Sequence, residues 1–320
     1  MRTVDIVVPA FNEAESIGPL HARMTRALER LPYAFRLIIV DDGSTDGTAE
    51  VCSALAAKDS RVGLIQLSRN FGHQAALTAA LDLADADAVI TMDADLQHPP
   101  EAIADLLVAW EAGAELVHGV RRRSSSTSLF KRLTSRLFYR VLRLVSETPI
   151  VADAPDFRLL DAKVVRAIRA MREQSRFLRG MFSWIGFKQV SVPYTEEARF
   201  EGRSKYSTLR MLKFAISAAV SFSTLPLRAA IVAGTLVSLC SFVYGVYAAA
   251  QRLIFDRAIP GWTSLAVVMS FLSGAQMLFL GVLGEYLGQV HAEARHRPLY
   301  VVRQVAMPSS TNPKSEPRDG

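Results

Sequence analysis

Apolar and polar positions along the chain fall into three regimes. Up to about residue 120, short apolar runs alternate with longer segments in which apolar residues recur every three or four positions. The runs at Val4 to Pro9, Arg36 to Val40, Val62 to Leu67, Ala88 to Met92 and Glu115 to Val120 predict buried strands. The segments between them predict helices from about Glu15 to Arg30, through about Lys58, from Gln74 to Ala84, and after Pro99-Pro100. Near-continuous apolar strands alternating with helices predict an α/β domain with a mainly parallel sheet covered on both faces. Past Arg123 the pattern turns helical and basic, with one more strand-like piece at Phe187 to Val192.

The third regime is apolar. Ser207 to Ser223 carries Arg210 and Lys213 on an otherwise apolar segment and predicts a helix lying on a lipid bilayer. Ala229 to Ala250 and Thr263 to Gly284 are each 22 residues without a charge, enough to cross ~30 Å of hydrocarbon. The short connection with its Pro260-Gly261 turn makes the two a transmembrane hairpin. The alternative is a pair of core helices, which usually interleave polar positions on one face. Basic flanks at Arg228, Arg295 and Arg297 place both ends in the cytoplasm, with Arg252 and Arg257 in the loop weighing the other way. The expected organisation is a catalytic domain over 1–206, a juxtamembrane amphipathic helix over 207–228, two spans over 229–287, and a cytoplasmic tail over 288–320 with a disordered end.

The net charge of +6 is concentrated: Arg121 to Arg143 holds eight Lys or Arg and no acid. Beside membrane segments such a patch suits phosphates and anionic headgroups. Sparse aromatic interleaving and the lack of a recognition motif argue against nucleic acid. The two cysteines, Cys52 and Cys240, offer no disulfide framework and no zinc spacing. Met1-Arg2-Thr3 runs straight into a strand, so no cleavable signal peptide is expected.

In a parallel sheet, ligands sit beyond the carboxyl ends of the strands. Polar clusters follow three of the predicted strands: Asn12-Glu13, Asp41-Asp42 and Asp93-Ala94-Asp95. Asp93 and Asp95 offer hard oxygen ligands that suit Mg²⁺ or Mn²⁺ together with a diphosphate. A solvated turn before a helix would use the same residues. Asp41 to Gly47 reads equally as an Asp-Gly turn with a helix cap or as carboxylates facing a nucleoside. Pro9 to Glu13 is either a plain loop or a base and ribose contact.

The ordered set of blocks goes further. Val7 to Glu13, Val40 to Thr48 and Asp93 to Pro99 resemble glycosyltransferase family 2, with its GT-A Rossmann-like fold. Ser68-Arg69-Asn70-Phe71-Gly72-His73-Gln74-Ala75-Ala76-Leu77-Thr78 narrows the resemblance to the polyprenyl-phosphate glycosyltransferases. Phe157 to Leu160, Arg176 to Gly180, Ser204 to Tyr206 and Gly284 to Gly288 extend it over nearly the whole chain.

The resemblance implies that Pro9, Phe11, Glu13 and Asp42 hold the nucleoside, and that Asp93, Asp95 and Gln97 surround Mg²⁺ or Mn²⁺ on the diphosphate. Arg121 would meet phosphate charge, and Arg199, Ser204 and Lys205 would lie on a loop closing over donor and lipid phosphate. Asp156 and Arg158 would position the acceptor, with Asp156 as base if the phosphate arrives protonated. A charged turn before a helix is the plainer reading of that pair, and Pro155 stands where the family usually has glycine. The implied reaction is inverting transfer from a nucleotide-sugar to a polyprenyl phosphate at the cytoplasmic membrane face. UDP-glucose is the first choice of donor, with UDP-GlcNAc, UDP-galactose and GDP-mannose as alternatives. A processive polysaccharide synthase is disfavoured by the absence of any Arg-Trp pair, and a non-catalytic membrane-anchored scaffold by the presence of both Asp93 and Asp95. A homo-oligomer formed through the spans is a further expectation.

Overall fold

The structure, a computed structural model, describes residues 1–122, 155–174, 176–196 and 261–308, together with helical residues 232–237, 239–240, 242–244 and 246–247. Most of the basic stretch, the expected closing loop with Arg199, Ser204 and Lys205, the amphipathic helix over 207–228 and the tail beyond 308 lie outside the described residues. The chain divides into two units. One holds the sheet and the tail after Arg297, the other the apolar helices.

The sheet has strands β1 (Arg2–Ala10), β2 (Tyr33–Asp41), β3 (Val62–Leu67), β4 (Ala88–Thr91), β5 (Leu116–Arg121), β6 (Arg158–Asp161), β7 (Gln189–Tyr194) and β8 (Val302–Ala306). Their spatial order is β7-β5-β6-β4-β1-β2-β3-β8. The centre, β3-β2-β1-β4, is parallel, as the alternation with helices requires. β6 runs antiparallel between β4 and β5, and β7 lies parallel to β5.

Helices α1 (Ala14–Leu28), α2 (Thr48–Lys58) and α4 (Ile103–Glu111) cover one face; α3 (His73–Leu83), α5 (Ala162–Ala170) and α6 (Leu178–Trp184) cover the other. Alternation along the strands feeds both. Val4, Ile6, Val8, Leu37 and Ile39 pack with Ile17, Leu20, Met24 and Trp110. Val7, Ile38, Val40 and Ile65 pack with Leu77, Val164, Ile168 and Phe182. The stripe Ile17, Leu20, Met24 and Leu28 on α1 has the spacing of one helix face. A sheet buried on both sides leaves only its strand ends for chemistry.

The tail contains a strand where none is expected. After the helix Trp262–Ala294, β8 pairs antiparallel with β3 at the sheet edge. Tyr300 and Val302 pack onto the α3 face, and Tyr300 donates its hydroxyl to Asp82 at 2.9 Å. The backbone of Ser68 donates to Val301 at 2.8 Å, so the start of the β3–α3 loop is bonded to the tail.

Candidate active site

Three loops leave the carboxyl ends of β1, β2 and β4, and hydrogen bonds knit the first two together. Asn12 adopts a left-handed φ of 56°, which asparagine tolerates through local hydrogen bonding. Its backbone N–H donates to Ser44 Oγ at 3.0 Å, and its Oδ1 accepts from the Thr45 backbone at 2.9 Å. The Glu13 backbone donates to Thr48 Oγ1 at 2.9 Å, and the Glu13 carboxylate accepts from Ser16 Oγ at 3.0 Å. Phe11 and Glu13 are half-buried at this junction, whereas Pro9 is buried within β1 opposite Val40.

Asp42 accepts from the backbone nitrogens of Phe71 and Gly72 at 2.8 and 2.9 Å, so its carboxylate anchors the entry to α3. Burial raises its pKa and outweighs those two donors. Gly43 is required where the β2–α2 loop crosses this segment: φ is +65°, and a Cβ would stand 2.4 Å from the Arg69 carbonyl carbon.

Past β4 the chain turns sharply, with Leu96 at φ 62°. Accessibility alternates through the turn. Asp93, Asp95 and Gln97 are half-exposed, while Ala94, Leu96 and His98 are buried. Two carboxylates and an amide therefore share the open side. The Gln97 backbone donates to Asp95 Oδ1 at 3.1 Å and holds that side chain over the turn.

Beside them lies Asp156, buried just before β6. It accepts from Arg158 Nη1 at 3.0 Å and from Arg179 Nε and Nη2 at 3.1 Å each. His73, the first residue of α3, bridges the two acidic groups, with Nε2 3.3 Å from Asp156 Oδ2 and 3.7 Å from Asp93 Oδ1. Burial opposes ionisation of Asp156, but His73, Arg158 and Arg179 prevail and hold its carboxyl well below the usual range. A carboxylate that resists protonation is a poor base, so the electrostatics favour orientation over proton abstraction. Burial likewise opposes protonation of His73, and the flanking carboxylates reverse this, raising its pKa.

Arg158 is not an exposed phosphate ligand. It is 1% exposed, and burial pulls its pKa down to about 10. Its Nε donates to His118 Nδ1 at 3.1 Å; His118 Nε2 then meets Gln189 Oε1 at 2.9 Å, and Gln189 Nε2 donates to the Phe182 carbonyl at 2.8 Å. Because Arg158 can only donate, His118 carries its proton on Nε2, and the whole relay has one direction. Arg158 acts from the core as a counterion to Asp156. The guanidinium with a surface is Arg179, whose side chain is 42% exposed. Pro155 is buried and leads directly into this arrangement, with the Asp156 carbonyl accepting from Thr91 Oγ1 at 2.6 Å.

Arg121 ends β5 with its side chain 41% exposed and 3.0 Å from Glu196. His73, His98 and Arg179 lie in motif blocks but carry no role in the sequence reading. Only the folded chain brings them to the two acidic loops.

Among the described residues no three His, Cys, Asp or Glu side chains form a complete ligand set for a metal ion. Asp93 and Asp95 supply hard oxygens of the kind Mg²⁺ or Mn²⁺ prefers, with diphosphate and water left to fill the remaining positions. The buried, unpartnered Nε2 of His98 beside Asp93 further marks this turn as built around that carboxylate.

The sheet is parallel at its centre and gathers acidic and basic side chains at the carboxyl ends of its strands, where ligands of such α/β sheets bind. The sequence model described as Glycosyl transferase family 2 matches residues 5–169. The chain is 40% identical to the uncharacterized glycosyltransferase YkcC of Bacillus subtilis, over 93% of both chains. It is 37% identical to the bactoprenol glucosyl transferase of Shigella phage SfV, over 94% of this chain and 98% of the relative. Among solved structures, a mannosyltransferase from Pyrobaculum calidifontis in complex with GDP-Man and Mn²⁺ superposes with a TM-score of 0.48 at 19% identity, over 91% of this chain and 85% of that one. The protein belongs to glycosyltransferase family 2 and is a glycosyltransferase with the mixed α/β GT-A sheet.

Proposed function

We infer that the protein transfers a sugar from a nucleotide-sugar to a polyprenyl phosphate at the cytoplasmic membrane face, with inversion and with a divalent cation. The observation that carries this reading is the juxtaposition of Asp93 and Asp156 across His73, with Arg179 at the surface. It supports a reading in which a carboxylate that would bind the cation stands beside guanidinium groups that would meet an anion, as an anionic donor and an anionic acceptor together require.

Phe11, Glu13 and the β2–α2 loop would hold the nucleoside. Asp93, Asp95 and Gln97 would hold the cation, which when bound stabilises charge on the leaving diphosphate. A phosphate monoester has a second pKa of about 6 and is largely ionised near neutrality, so the nucleophile needs no strong base. The task left to the protein is to offset charge and hold the phosphate in line. Asp156 does this indirectly by fixing Arg179, with Arg158 as its buried counterion. Arg121 and the expected loop residues Arg199, Ser204 and Lys205 complete the proposed phosphate environment. UDP-glucose is the favoured donor, in line with the glucosyl transferases among the relatives.

The apolar region supports the membrane part. Phe271–Ala294 has the length and composition to cross a bilayer, and Phe271, Met277 and Leu287 are 65%, 69% and 68% exposed. Side chains of that kind call for apolar surroundings. Topology adds a constraint. β3 precedes this region and β8 follows it, yet they pair in one sheet, which supports a hairpin that would return the chain to its starting side. The second crossing of the proposed hairpin would be the uncharged run Ala229 to Ala250, within which the described helix Val232–Tyr244 is by itself too short to span.

The test uses membranes holding the protein, undecaprenyl phosphate, Mg²⁺ or Mn²⁺, and a panel of labelled nucleotide-sugars. Label is expected in the organic phase from UDP-glucose and to be lost with EDTA or Asp95→Ala. Transfer from another nucleotide-sugar would reassign the donor. No transfer from any donor by correctly inserted protein would overturn the reading.

A further inference from the structure

His98 is 0% exposed and lies beneath the Asp93-Ala94-Asp95 turn. Its Nδ1 is 3.1 Å from the backbone nitrogen of Asp93, a group that can only donate. Nδ1 is therefore the acceptor, and the neutral ring carries its proton on Nε2. That nitrogen is buried without a hydrogen-bond partner and faces Asp93 Oδ2 at 3.7 Å. A buried donor left unsatisfied is destabilising, since nothing replaces the water it has lost.

The ring cannot turn to relieve this. It stacks on Phe157 at 5.2 Å and 14°, and meets Tyr194 edge-on at 5.8 Å. Phe157 is itself wedged against Gly119, where a Cβ would lie 2.5 Å from its ring. The adjustable partner is Asp93, whose side chain is 33% exposed. A shift of under about 1 Å would bring Oδ2 into hydrogen-bond range.

We propose that His98 is a positioning residue for the cation site: its Nε2–H, fixed in that tautomer by the Asp93 backbone, captures Asp93 Oδ2 and presents Oδ1 to a divalent cation. A neutral donor suits this task, because it orients the carboxylate without cancelling the charge the cation needs. A cationic side chain in its place would compete with the metal. The ring is neutral because Nδ1 is occupied as an acceptor by the Asp93 backbone N–H. The inference rests on the metal-dependent reading above.

The test is Mn²⁺ binding by the full chain in detergent, followed by EPR with UDP present, for the wild type, His98→Asn and His98→Gln. Asparagine retains an acceptor near the Nδ1 position and has nothing at Nε2; glutamine carries its amide nitrogen to the Nε2 position. His98→Asn is expected to weaken Mn²⁺ binding about 10–100-fold, the range found for outer-shell partners. His98→Gln should restore most of it. Equal affinity in all three proteins, or equal loss in both variants, would overturn the proposal. A wild type that binds no Mn²⁺ would instead overturn the metal-dependent reading.

A second measurement needs no variant. In ¹⁵N-histidine-labelled wild type, His98 should show the Nε2–H tautomer, with that proton moving downfield when Mg²⁺ and UDP bind. An Nδ1–H tautomer, or no movement on saturation with Mg²⁺, would refute it.

Discussion

Substituting Asp156 by asparagine removes one negative charge from a group that serves Arg158 and Arg179 at once. Arg158 is 1% exposed, so the change leaves a guanidinium in the core without its counterion. Breaking a buried pair from one side costs about 3–5 kcal/mol. Asparagine keeps one oxygen for Arg158, but its amide nitrogen would face the donors of Arg179 or His73. Arg179 is partly in water and adds little, so about 3 kcal/mol is expected. For a unit of this size that lowers the melting temperature by ~6–12 °C, readable from tryptophan fluorescence in detergent.

Acidification provides an internal check. The folded pKa of Asp156 lies well below its unfolded value near ~3.9, so its stabilisation is complete above that value and is lost as pH falls through the folded pKa. The gap between wild type and Asp156→Asn should therefore narrow below about pH 4. Adding Arg158→Met to Asp156→Asn removes the stranded cation and should recover at least half of the loss, less ~1 kcal/mol for the unpartnered His118 Nδ1. A single variant within ~1 kcal/mol of wild type, or a double variant destabilised by the sum of the singles, would refute the reasoning.

Gly119→Ala would place a Cβ 2.5 Å from Phe157; overpacking of about 1–3 kcal/mol is expected, together with weaker Mn²⁺ binding as His98 loses its stacking partner. Gln189→Leu removes the acceptor of His118 Nε2–H and should lower stability by about 1–3 kcal/mol while nucleotide binding persists, as calorimetry would show. Truncation after Arg297 removes β8 and the Val301 acceptor of Ser68. Faster hydrogen exchange is expected at Phe71 and Gly72, and unchanged exchange there would show that the tail does not steady the loop.

The sheet was legible because its strands are apolar runs whose ends coincide with polar clusters; the β1, β2 and β4 loops meet where a parallel sheet must bring them. The open side of Asp93, Asp95 and Gln97 follows from their spacing of two. β6 was not legible as an inserted antiparallel strand: Arg158-Leu159-Leu160-Asp161 is four residues long and begins with a charge. Its neighbour Asp156 is visible in the sequence, but nothing local shows that the pair is buried, because His118, which accepts from Arg158, comes from β5, and Gln189, which holds His118, comes from β7. Asp42 illustrates the same gap. In sequence its carboxylate belongs either to a turn or to a nucleoside contact, and nothing there shows the backbone donors that engage it from a loop 29 and 30 residues away. β8 is only five residues, Val-Arg-Gln-Val-Ala, with its valines three apart, so it lacks the alternation that marks a strand.

That late strand has a consequence for synthesis. Between Leu67, where β3 ends, and Val302, where β8 begins, lie 234 residues. At roughly 5–20 residues per second, the edge of β3 waits about 12–47 s for its partner. Throughout that interval the nascent sheet presents unpaired N–H and C=O groups to its surroundings. The apolar helices emerge within the same interval, so the catalytic sheet is closed only after they have been made.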